Sequence, residues 1–316
     1  MKLGIMIESQ EGVGWPEWKN IVQWTEELGF ESLWRSDHFF SFFGPSRTAD
    51  SLDTLIAHTY TAQASQRIRF GPLVLAMTFR HPAVLARMAA AIDQLSGGRF
   101  ILGVGAGWNE TEHAAYGITL PPLKERMDNL EEGVRVIKAL FENDYATLEG
   151  ARYQLKEAPL SPKPRQSPMP LLIGGSGEKR TLRMVARYAT EWNGNAALGI
   201  EGFRNKVAVL EQHCEREGRD PATIERSIMC GYVTGESQVE IDRQLDEMMA
   251  RMPPRFRPPP GAPRRPFGAI VGTPAQLVEQ IQAWEAEGVS RIMLQHQLPP
   301  SRDQLAFIAS EVLPKV

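Results

Sequence analysis

Only two cysteines, Cys214 and Cys230, occur in 316 residues, too few for the disulfide framework of a small secreted fold. No apolar run approaches the ~18 residues that a membrane-spanning helix needs. The first nine residues read as a short strand already carrying Glu8, not as a secretory signal. Neither sign of charge dominates: 35 Lys and Arg stand against 38 Asp and Glu, a formal net charge of −3. That balance argues against a basic nucleic-acid surface or a polybasic membrane patch, while leaving room for a local anion pocket. The expectation is a soluble, cytoplasmic protein with a small molecule as its partner, and neither nucleic acid nor membrane. What the chain does have in quantity is glycine (27) and proline (23), and their positions organise the rest.

Apolar positions three and four apart recur along the chain, as in Trp18, Ile21, Val22, Thr25 and Leu28; that spacing lines one face of a helix. The same pattern marks 84–95, 127–141, 182–189, 203–214, 277–284 and 305–308. Between the stripes lie short apolar runs without alternation, the pattern of strands buried on both faces of a parallel sheet: 2–8, 32–37, 69–75, 99–105, 170–174, 191–195, 226–233 and 290–295. Gly29, Gly97-Gly98 and Gly288 stand where a preceding helix would end. Eight strands, each followed by a helix, is the count of a (β/α)8 TIM barrel, with a doubly wound sheet as the competing architecture. Read as a barrel, 1–316 is one domain with insertions after the fourth and seventh helices. The first, 143–169, reads as a small hairpin, with arms at 145–148 and 152–155, leading into a run of prolines. The second, 251–268, holds seven prolines and five arginines without periodicity. Such a loop either covers the active-site mouth or decorates the surface.

Barrel enzymes carry their chemistry at the C-terminal ends of the strands, here Glu8, Asp37-His38, 76–80, 105–110, 174–178, 192–195, 234–236 and Gln295-His296. Asp37-His38 can act as an acid/base pair, because histidine titrates nearest neutrality; a surface histidine beside a capping aspartate is the plainer reading. The run 103–108, Gly-Val-Gly-Ala-Gly-Trp, lets a flat ligand or a phosphate approach the backbone, or simply packs a strand end tightly. It is not G-x-G-x-x-G, and no helix is expected to open immediately after it, so a dinucleotide fingerprint is not supported. At 172–181 an apolar strand runs into Gly174-Gly175-Ser176-Gly177, with a helix expected from near Glu178. N–H groups at a helix N-terminus bind anions, so a phosphate cradle is favoured over a plain turn. Glu178 separates Gly177 from Lys179, which departs from the P-loop pattern. Two other chemistries need answering. Asn109-Glu110 with Glu236 can be the paired carboxylates of a glycosidase, and Glu8, His38 and His296 a two-histidine, one-carboxylate metal site. Neither forms a compact signature, and neither explains the glycines at 174–177.

These residues sit in longer stretches: Leu28-Gly-Phe-Glu-Ser-Leu-Trp34, Ser36-Asp-His-Phe39, Thr78-Phe-Arg-His-Pro82, Leu95-Ser-Gly-Gly-Arg-Phe100, Leu102-Gly-Val-Gly-Ala-Gly-Trp-Asn109, Glu112-His-Ala-Ala-Tyr-Gly117, Ile173-Gly-Gly-Ser-Gly-Glu-Lys-Arg-Thr-Leu182 and Cys214-Glu-Arg-Glu-Gly-Arg-Asp-Pro221. With them the sequence resembles, over nearly its whole length, the bacterial luciferase-like family of flavin and deazaflavin oxidoreductases. It looks most like the subgroup assigned to coenzyme F420. The resemblance implies one barrel domain with the cofactor ring deep in its C-terminal rim. His38 would lie beside the reactive carbon with Asp37 next to it. A non-prolyl cis peptide between Leu73 and Val74 would back the ring, Gly105, Ala106 and Gly107 would border it, and Gly174, Gly175, Ser176 and Gly177 would hold the phosphate. It further implies hydride transfer between F420 and a small organic substrate, with His38 accepting or donating the proton; the redox chemistry belongs to the cofactor. The alternative within the family is an FMN-dependent monooxygenase supplied with reduced flavin by a partner reductase. A cofactor-binding carrier or sensor without turnover is the non-enzymatic reading. Relatives that oxidise alcohols or sugar phosphates have glutamate where this chain has Trp108 and tryptophan where it has Phe42, which counts against a sugar phosphate. Trp108, Phe39, Phe42, Trp192 and Met77 point to an aromatic, apolar pocket, or equally to core, with Glu8 and Gln295 completing the substrate side. A homodimer is expected by family analogy alone.

Overall fold

The structure, a computed structural model, describes residues 1–42, 46–252, 257, 261, 264 and 268–316. The chain alternates strand and helix from its start. β1 (Lys2–Ile7), α1 (Trp15–Glu27), β2 (Ser32–Arg35) and α2 (Thr54–Ala64) lead to a third stave in two pieces, β3 (Arg69–Pro72) and β4 (Leu75–Ala76). α3 (Pro82–Ser96), β5 (Leu102–Gly105), α4 (Glu110–Ala115) and α5 (Leu123–Glu142) follow, then a hairpin of β6 (Tyr145–Glu149) and β7 (Gln154–Pro159). The chain continues through β8 (Leu171–Gly174), α6 (Thr181–Tyr188), β9 (Glu191–Asn195), α7 (Gly199–Glu217), β10 (Glu225–Thr234) and α8 (Gln238–Arg251). It ends with β11 (Ile270–Gly272), α9 (Pro274–Ala286), β12 (Arg291–His296) and α10 (Arg302–Glu311).

The strands pair in the order β3-β2-β1-β12-β10-β9-β8-β5-β4, every pair parallel. β3 and β4 stand at the two ends of that order because they are two halves of one stave. The Ile101 N–H donates to the Phe70 carbonyl at 2.9 Å, which brings the ring round. The result is a (β/α)8 TIM barrel. Alternate side chains point to the axis, and Met6, Trp34, Ile101, Leu172 and Met293 form a fully buried plug there, with Leu73, Val74 and Met229 packed on it. The opposite faces, including Leu3, Ile5 and Ile7, join the larger core under the helices.

At the N-terminal end of the barrel, Arg291 is buried. Its guanidinium reaches Glu31 (2.9 and 3.1 Å) and Glu191 (2.5 Å) and lies 5.6 Å from the Trp34 ring centroid. Burial works against that charge, but Glu191 and Glu31 more than offset it and raise the Arg291 pKa.

Several boundaries differ from the sequence reading. The run expected as one strand at 69–75 is interrupted at Leu73–Val74, whose peptide is cis, as the family resemblance implies. The strand expected from 99 begins pairing at Leu102, with Phe100 bridging Phe70. β11, not expected, extends the sheet beside the far end of β10, Tyr232 opposite Ile270. α2 shows no apolar stripe because its buried face is Thr54, Leu55, Ala57, His58, Thr61 and Ala62, half of it polar. The hairpin of the first insertion is present, antiparallel and longer than read. The second insertion, 251–268, lies for the most part outside the described residues.

Candidate active site

The strand ends open into a cavity of about 430 Å³, within the range of small-molecule sites. Its floor is nearly bare backbone: Ala76, Gly105, Ala106, Gly107 and Gly174, beside Leu73 and Val74. With at most a methyl group on five of these positions, a flat ring can lie directly against the main chain. Close packing beneath enforces the small residues, since a Cβ on Gly105 would come within 2.7 Å of Val74 Cγ2. Gly107 takes φ +76°, and a Cβ there would meet Thr78 Oγ1 at 2.6 Å.

His38 stands at one wall. The chain that carries it past the end of β2 is pinned on both sides. The Ser36 N–H donates to Ile7 O (3.1 Å), Thr54 Oγ1 to Ser36 O (2.9 Å) and Ser51 Oγ to His38 O (2.8 Å). His38 Nδ1 lies 2.7 Å from Glu112 Oε2, and the other Glu112 oxygen accepts the Phe39 N–H at 2.6 Å. The Glu112 side chain is wholly buried, whereas that of His38 is 17% exposed. Burial by itself lowers the His38 pKa. The hydrogen bond and charge of Glu112, with the charges of Glu8 and Asp37, outweigh it, and the net shift is upward from the ordinary value of 6.5.

Glu112 is positioned by its own helix. Asn109 caps α4, its side chain accepting the N–H groups of Thr111 (3.1 Å) and Glu112 (3.3 Å). The next residue, His113, donates from Nδ1 to Asn109 O (2.7 Å), and its Nε2 lies 2.8 Å from Thr78 Oγ1. A helix does therefore open two residues after the glycine run, contrary to the sequence expectation. The Asn-x-x-Glu spacing at 109–112, a helix-cap pattern, is the sequence signal that announces it, and Glu112 was not among the candidate residues.

The other candidates divide. Asp37 lines the cavity, and both its oxygens are engaged: Arg80 binds it through two nitrogens (2.7 and 3.0 Å), and the Ala76 N–H donates to it at 3.2 Å. Glu8 also lines the cavity, held by Gln295 Nε2 (2.5 Å) and Gln10 Nε2 (3.1 Å). Phe42 and Trp108 meet the His38 ring edge to face, with centroids 4.8 and 5.6 Å away, and Trp108 is 56% exposed at the mouth. Gly174 lines the cavity, but Gly175, Ser176 and Gly177 are not among its lining residues. The expected helix start near Glu178 is displaced: α6 begins at Thr181 with no side-chain cap. The Gly175 N–H is used by Asn193 O (3.1 Å). Trp192 is a correction. It is fully buried, stacked on Phe203 at 5.0 Å, with its indole N–H on Gly175 O (2.8 Å). Its position in β9 points it at the helices, while Asn193 and Asn195 point to the axis and the cavity.

The rival chemistries lack their geometry. Glu110 and Glu236 are exposed and outside the cavity lining. Among the described residues, no group of His, Cys, Asp and Glu is placed to hold a metal ion. His296 is buried against Tyr232, its Nε2 3.3 Å from the hydroxyl. Among the same residues, no helix is long and apolar enough to cross a membrane.

Fold and cavity place the chain among the (β/α)8 barrels that keep their sites at the C-terminal ends of the strands. The chain belongs to the luciferase-like monooxygenase family, whose family model matches residues 1–291. It is 34% identical over 209 residues to the F420-dependent glucose-6-phosphate dehydrogenase of Kineococcus radiotolerans, a match spanning 64% of this chain and 59% of that relative. It is 25% identical over 328 residues to the FMNH(2)-dependent dimethylsulfone monooxygenase of Pseudomonas putida, spanning 94% of this chain and 87% of that enzyme. Among solved structures, an F420-dependent secondary alcohol dehydrogenase in complex with an F420-acetone adduct superposes with a TM-score of 0.82 at 20% identity, over 100% of this chain and 98% of that one.

Proposed function

We propose that this protein is an oxidoreductase that moves a hydride between F420 and a small, uncharged organic substrate, an alcohol and its carbonyl or an activated alkene. The observation that carries the reading is the placing of His38, held by a buried carboxylate, on the wall of a cavity floored by backbone. That floor fits a flat tricyclic ring, with Leu73, Val74, Gly105, Ala106 and Gly107 against it. The uncapped start of α6 behind Gly174, Gly175, Ser176 and Gly177 suits a phosphate. When bound, the cofactor supplies the hydride acceptor or donor.

The chain's own residues supply the proton. As a substrate C–H gives up hydride, its hydroxyl proton passes to His38 and a carbonyl is left; in the reductive direction His38 returns the proton. Glu112, Glu8 and Asp37 raise the proton affinity of the imidazole and thereby favour its role as acceptor. Phe42 and Trp108 shield it from water at the mouth. Glu8, with Asn195 and Gln295, offers polar contacts on the substrate side. Among the described residues, no Lys or Arg lines the cavity, whereas Glu8, Asp37 and Glu112 do. Among the described residues, a phosphate dianion on the substrate would meet carboxylates and no cation, so glucose 6-phosphate is not the substrate we propose.

A second reading, FMN-dependent monooxygenation with a partner reductase, is favoured by the longer match to the dimethylsulfone monooxygenase and by the aromatic mouth. The two readings separate by titration of the protein with F420 and with FMN, followed by fluorescence. F420 is expected to bind; tight FMN binding with no response to F420 would overturn the first reading. His38→Ala is expected to keep cofactor affinity and to lose 10²–10⁴-fold in turnover, about the usual worth of a positioned acid/base. A variant that binds cofactor and turns over as well as the parent removes His38 from the reaction. We further propose a cytoplasmic homodimer, for which light scattering is the check.

A further inference from the structure

We infer that Glu112 is a positioning residue that keeps the ring proton of His38 on Nδ1 and so presents Nε2 as the atom that exchanges a proton with substrate. The inference rests on the proposed role of His38, but the placement of the proton can be read without any cofactor. A carboxylate only accepts hydrogen bonds, so the 2.7 Å contact between His38 Nδ1 and Glu112 Oε2 requires the proton on Nδ1. Nε2 makes no hydrogen bond among the described residues. It is therefore the nitrogen left for a ligand in the cavity that His38 lines.

The second Glu112 oxygen gives the arrangement its rigidity. It accepts the Phe39 N–H at 2.6 Å, so one buried side chain binds both the imidazole and the backbone that carries it. Orientation of a base by a buried carboxylate on its far nitrogen is the logic of a catalytic triad. Here the base comes from the end of β2 and its partner from α4, 74 residues further on. The charged groups facing His38 are Glu112 from α4, Glu8 from the end of β1 and Asp37 beside it, the last tied to Arg80.

The same geometry makes Glu112→Gln a sharp probe. The Phe39 N–H can only donate, so the glutamine carbonyl oxygen must face it and the NH2 group must face His38. Nδ1 then has to accept, the ring proton moves to Nε2, and the working atom is blocked. The experiment is two-bond 1H–15N correlation NMR on 15N-histidine-labelled protein without cofactor, with His38 assigned by its absence in His38→Ala.

Above its titration midpoint, wild-type His38 is expected as the Nδ1–H tautomer. Glu112→Gln is expected as the Nε2–H tautomer with a lower midpoint, and Glu112→Asp as the wild-type tautomer. In the cofactor-loaded enzyme, Glu112→Gln should lower kcat on the order of 10²-fold with little change in KM, and Glu112→Asp should restore part of it. A wild-type Nε2–H tautomer overturns the inference, and that measurement needs no variant to fold. So does an unchanged tautomer and midpoint in Glu112→Gln. A tautomer that switches as expected, in a protein that turns over with neither F420 nor FMN, supports the placement and counts against the proposed reaction instead.

Discussion

Two histidines, His38 on the cavity wall and the buried His296, respond to acid in opposite directions, for reasons visible in their partners. His38 sits among carboxylates that raise its pKa. Its contribution to stability is complete below the ordinary histidine value and is lost as pH rises through the folded one. Among the described residues, the hydrogen-bond partner of the His296 ring is the Tyr232 hydroxyl, and burial pushes its pKa down to about 3. Between pH 6.5 and 3 the unfolded chain takes up a proton there that the native protein refuses, so this group costs stability as pH falls. The penalty is about 1.4 kcal/mol per pH unit, or about 2 kcal/mol by pH 5. His58, buried among the Trp18, Phe70 and Phe100 rings and close to Arg35, is shifted well down and acts in the same sense. Urea unfolding of the parent and of His296→Gln at pH 7 and pH 5 checks this. The parent should lose about 2 kcal/mol relative to the variant; an unchanged difference would show that His296 protonates in the folded state.

At the scale of elements, Arg80 joins three pieces that sequence order keeps apart. Its guanidinium binds Asp37 after β2 and, at 2.9 Å, Asp53. The other Asp53 oxygen caps α2 by accepting the Leu55 and Ile56 N–H groups. Asp37 in turn receives the Ala76 N–H of β4, so one cation registers the second stave, the second helix and the broken third stave behind the cavity. Arg80→Met leaves Asp37 buried against a single backbone donor. Removing one partner of such a pair costs about 3–5 kcal/mol, and chemical denaturation should read a loss of that order; a loss below about 1 kcal/mol would mean that solvent reaches the carboxylate.

Strands buried on both faces and helices with an apolar stripe were legible at this scale, because their patterns involve neighbours in the chain. α2 and β11 were not. The buried face of α2 carries threonines and a histidine, and β11 is only three residues long. The break at Leu73–Val74 was implied only by family resemblance.

For the whole molecule, the two ends of the barrel are built on opposite principles. The C-terminal end leaves a cavity, while the N-terminal end is closed by Arg291 between Glu31 and Glu191 beneath Trp34. Arg291→Met strips the buried Glu191 of its partner. It should cost about 3–5 kcal/mol without altering cofactor binding at the far end, as equilibrium unfolding and cofactor titration together would measure. A change in cofactor affinity larger than tenfold would contradict the separation of the two ends.

Closure into one barrel and the weight placed on His38 were implied by the family resemblance. The sequence pattern alone determined alternating helices and parallel strands with glycine-rich strand ends, because periodicity and turn glycines are properties of residues adjacent in the chain. It also led to Asp37, which the structure ties to Arg80, and to Trp192, which the parity of β9 turns toward Phe203. In strands buried on both faces, nothing in the residue pattern tells axis from helix side. Only the tertiary structure brought Glu112 against His38. That meeting depends on the closing of the ring, the register of β2 and β5 within it, and the direction in which α4 leaves its cap.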